Sequence, residues 1–195
     1  NVLYTGKVPH KGQVYDGRHE AIIAPEVFQR VQQLLATNNR SGTGLGLKWD
    51  FITVHESAHE WFANNITAKD NADMWVHESF ANYAEGLYTE CQQGKDAGAK
   101  YVIGTRTGIR NDKPIIPARG VNAQGSGDMY PKGGNMLHMI RHILDNDEAW
   151  RNILRGLNTT FGHQTVTGQQ VRDYIAAGVR KQSPGVDLEP IFRQY

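Results

Sequence analysis

The 195-residue chain is 39% hydrophobic and 21% charged, with a single cysteine, Cys91, and a formal net charge of +1. No internal disulfide is available, and no apolar run approaches the roughly 20 residues that a membrane-spanning helix needs. Charge is uneven: residues 1–42 carry Lys7, Lys11, Arg18, Arg30 and Arg40 against Asp16, Glu20 and Glu26, net +2, leaving −1 for the rest, a bias too small to be a nucleic-acid footprint by itself.

In chain order, residues 1–40 read as a small unit. "GKVPHKGQVYDG" predicts a hairpin turning at Lys11-Gly12, and Pro25 opens a helix to Ala36 in which Val27, Phe28, Val31, Leu34 and Leu35 recur at helical spacing. "NNRSGTGLG" marks a linker over residues 41–48, and all four tryptophans lie beyond it. The "GTGLG" within it follows no convincing strand, which argues against a phosphate loop. From Trp49 the pattern is mostly helical, with one helix from about Asp50 to Asn64 and a second from about Ala72 to Cys91, capped by Asp70 or Asn71. Residues 92–128 hold seven glycines with Pro114 and Pro117 and read as an irregular wall or lid of a cleft. After Pro131 an amphipathic helix places Met136, Ile140, Ile143 and Leu144 on one side. Shorter helices follow near residues 150–157 and 168–179, and Asp187 caps a last turn. The expected class is mainly α, or α+β counting the hairpin.

"HESAHEWFANNITAKDNADMWVHE", residues 55–78, carries the chemistry. On a helix, His55 and His59 stand about 40° apart and one turn along, so both imidazoles can converge on one ion. Glu56 lies about 60° from His59, placed to reach a water on the ion rather than the ion itself. Zinc brings the pKa of its water to about 7 and polarises a scissile carbonyl, leaving a carboxylate to accept the proton. Such sites hold two histidines, one carboxylate and an open position, and Glu78 on the next helix is the best third ligand. Asn82 and Glu85 share its face and are candidates to orient the histidines. His77 points about 100° away from Glu78 and is the weaker choice.

From about Gly44 onward, "HESAHEWFANNIT" and "WVHESFANYAEGLY" resemble the aminopeptidase N family of gluzincin metallopeptidases: HExxH, eighteen residues, then Glu. The resemblance implies a thermolysin-like catalytic lobe over residues 49–195. It also implies one zinc ion held by His55, His59 and Glu78, Glu56 as general base, and peptide substrates. "DMYPKGGNMLHMI" resembles the segment whose tyrosine, here Tyr130, donates a hydrogen bond to the oxyanion. A phenol at a helix start is independently a neutral donor suited to developing negative charge. Ala63 and Ser79 replace common family glycines, a change tolerated where the backbone is ordinary helix. The Gly-Ala-Met-Glu-Asn type segment that binds a substrate's free amino group is not found in residues 1–54. The chain is therefore expected to be either a working peptidase of altered selectivity or a truncated, inactive one.

Residues 2–36, "VLYTGKVPHKGQVYDGRHEAIIAPEVFQRVQQLLA", resemble instead the DNA-binding domain of large serine recombinases. This suggests a fusion, a chimeric gene or an engineered joint near Ser41 to Gly44. The alternative function is thus a DNA-binding module with a non-catalytic zinc site, for which DNA would be a partner through residues 1–40. His138 and His142 are also four apart, but share their face with Arg141 and Asp145, and a neighbouring cation disfavours metal; they read as a solvated face. Cys91, without a base or partner cysteine nearby, reads as an indifferent thiol. Because the sequence starts at Asn1, cytoplasmic and exported locations are both open.

Overall fold

A computed structural model describes residues 5–21, 24–30 and 49–195, and the chain divides into two compact units, Asn1–Asp50 and Phe51–Tyr195. In the first, strands β1 (Lys7–His10) and β2 (Gln13–Asp16) pair antiparallel with His10 opposite Gln13. Lys11 and Gly12 both take positive φ, 46° and 80°, the mirror-image turn that matches the twist of a two-residue hairpin. Lys7 closes the open end on Asp16. Residues 25–30 are helical from Pro25, and the remainder of the expected helix, like the linker at 41–48, lies outside the described residues.

The second unit is mainly α. Its helices are α1 (Phe51–Ala58), α2 (Trp75–Gln93), α3 (Lys95–Thr105), α4 (Pro131–Leu144), α5 (Asp147–Phe161), α6 (Gly168–Gln182) and α7 (Glu189–Gln194). Two three-residue strands, β3 (Ile66–Ala68) and β4 (Gln164–Val166), pair in parallel. The long α2 is the axis, packed against α1, α3 and α4. Val76, Phe80 and Tyr83 of α2 meet Leu137 and Ile140 of α4, Trp150, Ile153 and Leu157 of α5, and Val171, Ile175 and Val179 of α6. Each run recurs at three or four residues, so one stripe per helix faces a shared core. Fully burying such side chains contributes about 1.5–3 kcal/mol each. Of the stripe expected on α4, Ile143 is 39% exposed while Leu137 is sealed.

Local signals set the helix ends. Asp70 accepts from the Ala72 N–H at 2.9 Å, but what it caps is a single 3₁₀ turn, Asn71–Asp73, and α2 starts only at Trp75. Asn146 caps α5, and Thr167 with Gln170 forms a reciprocal capping box on α6. Asp187 accepts from the Glu189 N–H at the start of α7.

Two expectations fail. The helix from Asp50 does not run through Asn64: α1 ends at Ala58, a wider turn spans Glu60–Asn65, and Phe62 (ψ 67°) and Ala63 (φ 169°, ψ −56°) are not helical. Ala63 therefore does not sit in ordinary helix, whereas Ser79 does. Nor are residues 92–128 irregular throughout, since α3 occupies the first third. Gly98 there is a packing residue: a Cβ on it would lie 2.7 Å from Glu90 Cβ on α2. The irregular part is pinned by hydrogen bonds. Asp128 accepts from the N–H groups of Arg110 and Asn111, and buried Asp73 accepts both guanidinium arms of Arg119 at 2.6 Å.

Candidate metal centre

α1 delivers His55 and α2 delivers Glu78 to one buried point, with His59 arriving just past the end of α1. His55 Nε2 lies 3.2 Å and His59 Nε2 3.5 Å from Glu78 Oε2, and one ligand atom from each residue lies within 4.8 Å of the other two. Among the described residues this is the one such group of three or more His, Cys, Asp or Glu. Ligands held about 2.0–2.1 Å from a tetrahedral zinc are separated by about 3.3 Å. The two measured nitrogen–oxygen separations bracket that value, and two imidazoles with one carboxylate are the donor set zinc takes in catalytic sites. The residues fit the ion.

The outer nitrogens are also fixed. Glu85, 2% exposed, takes His55 Nδ1 at 2.6 Å. His59 Nδ1 is 3.1 Å from the Phe62 carbonyl, and because a carbonyl only accepts, this nitrogen carries the proton. The Nε2 atoms are then the ones turned toward the point they share, that of His55 with its proton on Glu78. The break after α1 makes the second bond possible. In continuous helix the Phe62 carbonyl would point along the axis, away from His59, whereas ψ 67° turns it back. Glu85 itself accepts from Asn82 Nδ2 at 3.2 Å and from the hydroxyl of buried Tyr101 on α3.

Electrostatics follow from these contacts. Burial alone lowers the His55 pKa, but its hydrogen bonds to Glu78 and Glu85 outweigh it and raise the pKa to about 9. A cation entering between His55 and Glu78 takes the place of the Nε2 proton. Burial pushes Glu78 up, but the bond from His55 and the charge of His59 prevail and hold it below its ordinary value.

Tyr130 ends the 3₁₀ turn Gly127–Met129 and precedes α4. Its ring stacks on His55 at 5.7 Å and 21°. Burial, then the charge and hydrogen bond of Glu78, raise its phenol to about 12, so it stays a donor. What carries it there is the close pass of α4 over α2. A Cβ on Gly133 would lie 1.9 Å from Ser79 Oγ, and one on Gly134 would lie 2.3 Å from Asn82 Oδ1. Ser79 Oγ also donates to the Met129 carbonyl at 2.7 Å, fixing the residue before Tyr130. Glu56 is exposed and near enough for its charge to act on Tyr130.

His77 stays out of the cluster, its Nε2 accepting from the Ala68 N–H at 2.7 Å, and burial lowers its pKa. Tyr101 was not among the sequence candidates. It lies in the glycine-bearing stretch read as irregular, and nothing local marks it.

Residues 25–195 match the family model described as the Peptidase family M1 domain, a range that includes residues 25–36 of the recombinase-like stretch. Aminopeptidase N of Lactobacillus helveticus is 30% identical over 140 residues, covering 64% of this chain and 16% of that protein. Human aminopeptidase N is 25% identical over 146 residues, covering 68% and 15%. Among solved structures, a two-domain M1 zinc metallopeptidase variant bound to L-tryptophan superposes with a TM-score of 0.61 at 28% identity, covering 75% of this chain and 32% of that one. A variant of the M1 zinc metallopeptidase of Deinococcus radiodurans bound to a Tyr-Ser-Ala substrate gives 0.59 at 26%, covering 75% and 33%. The chain thus spans about a sixth of the length of the curated relatives named here.

Proposed function

Since the chain belongs to peptidase family M1, we propose that it hydrolyses peptide bonds as an aminopeptidase-like zinc enzyme, with His55, His59 and Glu78 as the metal ligands. The observation that carries this is the convergence of His55 Nε2, His59 Nε2 and Glu78 Oε2, with both Nδ1 atoms tied back to acceptors. When bound there, zinc supplies Lewis acidity to the substrate carbonyl and acidifies water.

The chain's own groups do the rest. Glu56, exposed beside the cluster, accepts the proton of the attacking water and returns it to the leaving amine as general base and then general acid. Tyr130, held as a neutral phenol, donates to the oxyanion that develops on the carbonyl. Glu85 positions His55 and keeps its Nδ1 protonated, which aims Nε2 inward.

The test is Glu56→Gln, assayed on an aminoacyl anilide and on an internally quenched peptide, so that removal of a terminal residue and internal cleavage are read separately. The variant is expected to keep its zinc and to lose about 10²–10⁴-fold in turnover. His59→Ala is expected to lose the zinc as well. Hydrolysis unchanged in Glu56→Gln would refute the assignment of the base.

A further inference from the structure

α4 carries a second histidine pair away from the cluster just described. His138 and His142, one helical turn apart, face each other with their Nε2 atoms 3.1 Å apart and rings nearly perpendicular at 78°. Two imidazoles bound cis to one ion at about 2.0–2.1 Å stand roughly 3.0–3.4 Å apart, so this separation is that of a bidentate nitrogen clamp. The pair lines a cavity of about 400 Å³ between the end of α2, the start of α3 and the end of α4.

Arg141, the neighbouring cation that spoke against metal in the sequence, is occupied elsewhere. Its guanidinium is held by Glu90 at 2.6 and 2.9 Å and by Asp147 at 2.7 Å, and Lys95 is paired with Asp147 at 3.2 Å. The cavity lining holds four carboxylates, Glu90, Asp96, Asp145 and Asp147, against those two cations. Asp96 and Asp145 enter no ion pair among the described residues, which leaves a local excess of negative charge beside two nitrogen donors.

We propose that His138 and His142 form a second, peripheral site for a divalent transition-metal ion of the imidazole-preferring class (zinc, nickel or copper), with water completing its coordination and the carboxylates of the cavity lining supplying the surrounding negative charge. The site shares no residue with the His55, His59, Glu78 cluster and does not depend on the peptidase reading. Hard, oxygen-seeking cations such as magnesium are expected to bind poorly, because the two paired donors are imidazole nitrogens.

The experiment is a Zn²⁺ titration of the full chain by calorimetry, run in parallel on His59→Ala and on the double variant His138→Gln, His142→Gln. Two binding classes are expected in the parent. The weaker class should survive in His59→Ala and fall by tenfold or more in the double variant, about 1.4 kcal/mol, while the tighter class does the reverse. A single class in the parent, or a weaker class that persists in the double variant, would overturn the proposal. Cu²⁺ provides a second readout that does not depend on folding effects. Electron paramagnetic resonance of the parent with Cu²⁺ should show nitrogen couplings that His142→Gln, an exposed substitution, reduces by one imidazole. Unaltered spectra would also overturn it.

Discussion

Glu85→Gln tests whether one buried carboxylate organises the centre. Glu85 Oε1 takes His55 Nδ1 at 2.6 Å, while Oε2 takes the hydroxyl of Tyr101 and the amide of Asn82. Glutamine keeps the length and one acceptor oxygen but places an N–H where the other stood. One of two buried donors, on Tyr101 (3% exposed) or His55 (9%), must then lose its acceptor, which costs about 1–3 kcal/mol. For a unit of this size that lowers Tm by about 2–4 °C for each kcal/mol. Metal affinity suffers separately: loss of an outer hydrogen-bond partner of a ligating histidine weakens binding about 10–100-fold, or roughly 1.4–2.7 kcal/mol. Competition for zinc against a chromogenic chelator, with thermal unfolding of the same samples, separates the two effects. Tyr101→Phe removes a donor but leaves the carboxylate, so its loss of affinity should be the smaller one. Zinc affinity within about twofold of the parent in Glu85→Gln, or a larger loss in Tyr101→Phe, would refute the reasoning.

Other consequences follow from contacts already described. Gly133→Ala should destabilise by about 1–3 kcal/mol, because its Cβ meets Ser79 Oγ. Ser79→Gly in the same chain should recover much of that, and additive losses in chemical denaturation would show that the two sites are not coupled. Asp73→Ala removes the acceptor of two Arg119 bonds and of the Gly168 N–H at 2.6 Å; a loss of about 2–4 kcal/mol is expected, with limited proteolysis appearing first near residue 119. Arg141 holds the carboxyls of Glu90 and Asp147 below their ordinary values of 4.5 and 3.8. Depressed folded-state pKa values give stability that is fully present above the ordinary values and is lost progressively as pH falls from there through the folded-state ones. The Tm gap between the parent and Arg141→Gln should therefore narrow from pH 5 toward pH 3, and a gap that widens would reverse the sign.

The His55, His59 and Glu78 set was legible because its geometry is local: two residues one turn apart, and a third on the next helix. Glu85 was legible for the same reason, one face of α2. The break after α1 was not, because "EWFANN" contains no proline or glycine, and what bends it is Phe62's carbonyl serving His59 rather than the helix. α3 was hidden by a misread glycine. Gly98 lets two helices touch, a tertiary cause that sequence presents as a loop signal, and Tyr101 disappeared with it. The β3–β4 pair joins segments nearly a hundred residues apart through three residues each, too little pattern for either strand to announce itself. His138 and His142 were dismissed on account of Arg141, whose partners on α2 and α5 only the fold reveals.

The two histidines of the centre are anchored in unlike ways. His55 depends on a side chain, Glu85, whereas His59 depends on the backbone oxygen of Phe62. A single codon change can delete the first anchor; no side-chain replacement at position 62 deletes the second. Under neutral drift the two halves of the site therefore present different mutational targets. A lineage losing metal affinity should show its first lesions at Glu85 and Tyr101, while changes at position 62 act first on the stacking of its ring against Phe80 and leave the carbonyl in place.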